Sequence, residues 1–200
     1  MTMSKPLPLD KLSRMGLNPA YASCAAVLSM SAAFAFADAA ISSAPVSPDI
    51  SAIEAGVICP PETVGSSPAP DTIAGTTHLI DEEPPFVSNA RVVPAVLGIG
   101  FGVKAQTPIE GGINQITMVV THPAMGNEGV ESQSFLPRIN DVEPSLTFYQ
   151  FDYSYELLPG SWTMTAMRAE EVLYQVDFEI VPPDLVPELA GVCGYENLLS

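Results

Sequence analysis

Between Leu157 and Pro182 two alternating runs flank a short polar turn, and each run is bounded by proline. Trp162, Met164 and Ala166 alternate with Thr163 and Thr165, Arg168 to Glu171 turns the chain, and Val172, Tyr174, Val176, Phe178 and Ile180 follow at the same period. A period of two with one apolar face is written by a half-buried strand, and shifting its register by one residue would turn every core side chain to solvent. The stretch is therefore a closing β-hairpin. Pro159-Gly160 is read as a type II turn leading into it, and Pro159, Gly160, Trp162 and Phe178 as its structural residues, the turn and the core anchors.

Other segments repeat the pattern. Thr72 to Ile80 is an edge-strand candidate, and Asp81-Glu82-Glu83-Pro84-Pro85 is a solvated turn. In Ala95 to Gln106, Leu97, Ile99, Phe101, Val103 and Ala105 share one face, and Gly98, Gly100 and Gly102 lie on the other. Such a glycine strip fits tight packing within the chain or a bulge before it fits a ligand. Ile113 to His122 is a strand ended by Pro123, a short strand lies around Gln133 to Leu136, and Ser145 to Leu157 is the longest candidate. There Tyr149, Phe151, Tyr153 and Tyr155 form a stripe, either a carbohydrate-stacking platform or, preferably, a core face with hydroxyls at the rim. Helical periodicity is nearly absent. The expected fold is all-β, an antiparallel immunoglobulin-like β-sandwich over residues 72–182 with an extended N-terminal segment.

The chain has 200 residues, and its start reads as a leader. Lys5, Lys11 and Arg14 precede an uncharged run from Ala20 to Ala37, and Ala35-Phe36-Ala37 before Asp38 is a small-x-small site, so residues 1–37 are expected to be a signal peptide cut after Ala37. A retained anchor is the alternative. Cys24 stands at the start of the apolar run, the wrong end for a lipid-attachment site. Residues 38–71 are Ala/Ser/Pro-rich and are read as an extended segment with little core of its own, and 183–200 as a tail.

Of 7 basic and 23 acidic residues the leader takes Lys5, Lys11, Arg14 and Asp10, which leaves a net charge near −18. Such a surface repels phosphate backbones and anionic headgroups, so nucleic acid is excluded as a partner and stable membrane insertion after cleavage is not expected. Cys59 and Cys193 remain as an even pair, which in an exported chain indicates a disulfide, with two free thiols as the alternative.

The residues Gly100-Phe101-Gly102-Val103, the Thr121-His122-Pro123 corner, the run from Phe151 through Tyr153 and Tyr155-Glu156-Leu157 to Pro159-Gly160 and Trp162-Thr163, and the closing Phe178-x-Ile180 together resemble the bacterial DUF3859 family, over roughly Val92 to Val181. The family has no assigned activity. The resemblance implies one compact domain and carries no catalytic residue.

Catalytic patterns are sparse. His78 and His122 lack a second His or Cys at metal-ligand spacing, and Asp81-Glu82-Glu83 and Asp141-x-Glu143 lack the calcium-loop spacing, so no metal and no cofactor is implied. An enzyme would need His122, Asp141 and Ser134 to meet in space, whereas a His122 bonded to a loop carbonyl is the simpler expectation. The balance favours a binding or structural module of the periplasm or secreted space, its partner an envelope protein or carbohydrate of unknown identity. Assembly or chaperone-like work by strand addition is the alternative, and it requires a regular, uncovered edge strand.

Overall fold

In a computed structural model the described residues are 45–199, so the expected leader and the expected cleavage after Ala37 lie outside them. Ten strands run in chain order: β1 (Ala52–Ile58), β2 (Thr63–Pro68), β3 (Thr76–Ile80), β4 (Val92–Pro94), β5 (Gly100–Gln106), β6 (Thr117–Met125), β7 (Val130–Phe135), β8 (Ser145–Gln150), β9 (Gly160–Arg168) and β10 (Glu171–Val181). They form a three-stranded sheet β1-β5-β8, a five-stranded sheet β4-β10-β9-β6-β7, and a separate ribbon β2-β3. The fold is an immunoglobulin-like β-sandwich, antiparallel except where β4 runs parallel to β10.

The closing hairpin is β9–β10. Trp162 pairs with Phe178 and Met164 with Val176, while Val120 of β6 lies on the other side of Met164, so one apolar row crosses three strands. Phe101 of β5 meets this row from the facing sheet, its ring 4.7 Å from that of Phe178 and 5.8 Å from that of Trp162. Trp162 is fully buried and its Nε1–H is donated to the Leu158 carbonyl at 3.0 Å, which satisfies the indole's polar atom inside the core. Ala169 and Glu170 turn the hairpin, with Ala169 at φ 54°, and a bulge between Val172 and Tyr174 exposes Val172 and buries Leu173 in its place.

Several expectations are corrected. The segment 38–71 is not merely extended, because Ala52–Ile58 forms β1, pairs along its whole length with β5 and buries Val57 and Ile58, and Thr63–Pro68 forms β2. Small residues at Ala52, Ala55 and Gly56 weaken the alternation that marks a strand. The sandwich therefore begins well before residue 72. Thr76–Ile80 pairs with β2 and not with either large sheet. Leu97 leaves the core face, since β5 starts only at Gly100 after a turn at Gly98, φ 86°. Pro123 does not end its strand: β6 continues to Met125 and absorbs the proline at a register shift between Thr121 and Met125.

Two further corrections bear on the site. The candidate strand 145–157 stops at Gln150, and Ser154–Glu156 is a 3₁₀ turn. Pro159-Gly160 is not a type II turn: Gly160 sits at φ 131°, already paired with Ile180 as the first residue of β9, and the chain has reversed earlier, at 153–157.

Behind β10 the tail packs back. Val186, Leu189, Ala190 and Tyr195 are buried against the core, and helix α1 (Ala190–Cys193) brings Cys193 to Cys59, just past the end of β1, in a disulfide with Cα atoms 5.1 Å apart. At the other end Arg168 meets Asp49 at 2.6 Å and Glu171 at 2.7 Å, tying the chain before β1 to the hairpin.

Candidate functional site

The two sheets part on one side, where β7 edges the larger and β8 the smaller, and the ribbon crosses the gap. The result is a cleft of about 220 Å³ with Gln133 and Phe135 of β7 on one wall, Thr147 and Tyr149 of β8 on the other, and Thr77 and His78 of β3 across it. One end is closed by His78, whose Nε2 lies 2.6 Å from Asp152 Oδ2.

A chain of side chains runs from His122, which does not line the cleft, to Gln133, Tyr149 and Glu156, which form its floor. His122 Nδ1 lies 2.9 Å from the Pro123 carbonyl, and its Nε2 lies 3.0 Å from the Gln133 side-chain amide. A carbonyl accepts only, so Nδ1 carries the proton and Nε2 accepts from Gln133. The same amide donates to the Tyr149 hydroxyl at 3.2 Å, which donates to Glu156 Oε1 at 2.9 Å. Glu156 Oε2 accepts the backbone N–H of Asp152 at 2.6 Å and of Tyr153 at 2.8 Å, while Gln133 Oε1 accepts Ile73 N–H at 2.7 Å. The Gln133 amide also lies 3.9 Å from Met125 Sδ. The arrangement is self-saturated, as buried polar groups require.

Burial displaces the titrations. It holds His122 below its ordinary 6.5, against the pull of the Pro123 carbonyl and of Glu131. It raises Glu156, although the Tyr153 and Asp152 N–H groups and the Tyr149 hydroxyl favour the carboxylate. Tyr149 is pushed up by burial and then by the adjacent Glu156 charge, so it stays a neutral phenol. A neutral imidazole, a neutral phenol and a carboxylate with its acceptors in use make a rigid support. None is a free base beside a nucleophile.

No hydrogen bond joins His122, Asp141 and Ser134 to one another. Asp141 Oδ2 accepts Gly111 N–H at 2.8 Å, Ser134 gives its backbone N–H to the Asp71 carbonyl at 3.1 Å, and both ring nitrogens of His122 are taken as described. His122 is bonded to a carbonyl, that of Pro123. The aromatic stripe divides where the strand ends: Tyr149 and Phe151 turn inward, while Tyr153 and Tyr155 stack on each other at the surface, ring centroids 5.2 Å apart and nearly parallel. Glu83, read as part of a solvated turn, accepts Leu146 N–H of β8 at 2.9 Å and faces Lys104 at 3.9 Å. Among the described residues no three His, Cys, Asp or Glu side chains converge as metal ligands would.

Gln133 and Glu156 are the residues of the candidate site that the pattern concealed. Both occupy positions that read as solvent-facing in an alternating strand. Only the end of β8 at Gln150 turns Glu156 inward.

Two packed sheets with a polar-floored cleft on one open side define an immunoglobulin-like sandwich with its candidate site between edge strands. The chain belongs to the DUF3859 family, a domain of unknown function, whose model matches residues 46–180. That match extends further toward the N-terminus than the resemblance over Val92 to Val181 implied, and it takes in β1 and the ribbon. Among solved structures the chain is similar to an immunoglobulin-like protein from Pseudomonas aeruginosa, with 20% identity over 65% of this chain and 92% of that one and a TM-score of 0.43. No curated protein matches it. The disulfide, and the absence among the described residues of any helix long and apolar enough to cross a membrane, are compatible with an extracellular or periplasmic location.

Proposed function

We propose that this protein is a binding module of the cell envelope or secreted space, exported by residues 1–37 and cut after Ala37, and that it takes its partner in the cleft between β7 and β8. The observation that carries the reading is the saturated floor: Gln133, Tyr149 and Glu156, backed by His122, spend their hydrogen bonds on one another, which preorganises a surface. The Cys59–Cys193 bond belongs with this, since a disulfide persists in an oxidising compartment.

The test is affinity capture from the native envelope fraction with the wild-type protein and with Thr77→Arg, which fills the cleft from the ribbon side. A discrete partner held by the wild type and lost with Thr77→Arg is the expected result. A partner held equally by both places binding elsewhere and contradicts the reading. N-terminal sequencing of the envelope form should begin at Asp38, and an intact Met1 would contradict the leader.

A further inference from the structure

The four edges of the two large sheets are not equivalent. β7 is covered: Asp71 receives the backbone N–H of Ser134, and Ile73 N–H reaches Gln133. The end of β1 is paired, Val57 exchanging hydrogen bonds with Val87 and Ser88 at 2.9 and 2.8 Å. β4 is three residues long. β8 pairs with β5 without a register shift over six residues, and among the described residues no strand is bonded to its other side.

The alternation of an antiparallel ladder fixes which groups that other side presents. Phe151 N–H reaches the Ile99 carbonyl at 3.0 Å, and in the same register the pairs Tyr149/Phe101 and Thr147/Val103 exchange bonds with β5. Leu146, Phe148 and Gln150 therefore direct their backbone N–H and C=O groups away from β5, to the side of the cleft. Leu146 N–H is received there by the Glu83 carboxylate, a side chain acting as the neighbouring strand would. At the other end Gln150 Oε1 is buried without a partner. Across the cleft the ribbon lies alongside, lined by Thr76, Thr77 and His78, yet it belongs to a different sheet.

From this the geometry points to strand addition: β8 takes an extended peptide segment of a partner protein along its cleft-side edge, between itself and the ribbon. The inference rests on the cleft being the binding site. Main-chain hydrogen bonds to Phe148 and Gln150 supply the register, and alternate side chains of the segment enter beside Val120 and Phe135. The segment is flanked by basic residues. Carboxylates stand at both ends of the edge, Glu83 beside Leu146 and Asp152 beyond Gln150, on a chain of net charge −16.

The probe is a synthetic peptide of about eight residues, a usual strand length, alternating valine and threonine between terminal lysines. Its controls are the same peptide with alternate backbone nitrogens methylated, a glutamate-flanked version, and an unrelated linear oligosaccharide. Hydrogen exchange of the whole disulfide-bonded protein is followed by amide-resolved NMR. The expected result is slowed exchange at Phe148 and Gln150 with the lysine-flanked probe, and binding weakened at least about tenfold by methylation, by glutamate flanks and by Phe148→Pro. Unchanged near-ultraviolet dichroism of Trp162 would show that Phe148→Pro still folds, and the methylated probe makes the same test without a mutation.

Equal binding of the methylated probe, or saccharide binding in the cleft without protection of Phe148, overturns strand addition and leaves the cleft as a site. Protection of Phe148 that grows with protein concentration alone assigns the edge to a second copy and also overturns it. No binding of any probe does the same, while the Thr77→Arg capture stands as a separate result.

Discussion

Tyr149 shows how much a single hydroxyl holds here. Replacing it with phenylalanine keeps the ring against Trp162 but strips Glu156 of a donor and one Gln133 N–H of its acceptor. Tyr149→Phe should cost about 1 to 3 kcal/mol in denaturant unfolding, and a change within error would mean that the floor is wet and the network loose. Trp162→Ala should cost about 3 to 5 kcal/mol, since the ring is buried among Phe101, Phe151 and Tyr149. Unchanged melting with lost partner binding would contradict its role as a core anchor.

His122 adds a pH dependence whose sign follows from its lowered pKa. Above about 6.5 the imidazole is neutral folded or unfolded, and its contribution is whole. Below that the unfolded chain takes up a proton that the folded one resists, because burial disfavours the charged ring, so stability falls until the depressed value is passed. Glu156, raised by burial, works the opposite way and gains stability as the medium is acidified toward the ordinary carboxyl range. The stability gap between wild type and His122→Asn isolates the histidine and should narrow between about pH 7.5 and about pH 5.5. A constant gap would show that His122 titrates normally. A carbonyl partner for His122 was legible from its place beside Pro123. Gln133 and Glu156 were not, because polar residues in an alternating run are indistinguishable from solvent-facing ones until the strand's end is known.

Elements were legible in proportion to their contrast. The β9–β10 hairpin announces itself because apolar and polar residues alternate cleanly on both arms, and the structure keeps that register apart from the bulge at Val172. β1 was missed because alanine and glycine carry little pattern, although its second half, Gly56 to Ile58, is buried. The glycines of β5 belong to that packing: a Cβ on Gly100 would stand 2.8 Å from Ile58 Cγ1 and 2.9 Å from the Tyr149 carbonyl oxygen, and one on Gly102 would run into the Thr147 carbonyl and lie 2.8 Å from Phe148 Cα. The strip is a close approach between neighbouring strands. Gly102→Ala should therefore cost about 1 to 3 kcal/mol, read as a lower denaturant midpoint with the spectrum of the native state retained. An unchanged midpoint would mean that β5 and β8 can separate at no cost, which would also undermine β8 as a fixed edge.

Across the whole molecule the Cys59–Cys193 bond closes a loop of 134 positions around nearly all of the described fold. In the chain-entropy account its loss, by reduction or by Cys59→Ala with Cys193→Ala, should cost about 4 to 5 kcal/mol. The bond also holds the tail that buries Val186, Leu189 and Tyr195. A protein equally stable when reduced would show that the tail packs without it. The pairing of the two cysteines could be read from their even number. That they join the end of β1 to a helical tail could not, since β1 itself was hidden.

The central claim is that partners are held at the β8 edge of the cleft, and photocross-linking in the native envelope fraction tests it most directly. A photoreactive residue at Thr77, on the cleft wall opposite β8, is compared with one at Leu185, exposed on the tail. The account predicts a discrete adduct from position 77 that disappears when Phe148→Pro is added, and none of that mass from position 185. Adducts formed equally from both positions, or from position 77 regardless of Phe148→Pro, would contradict it.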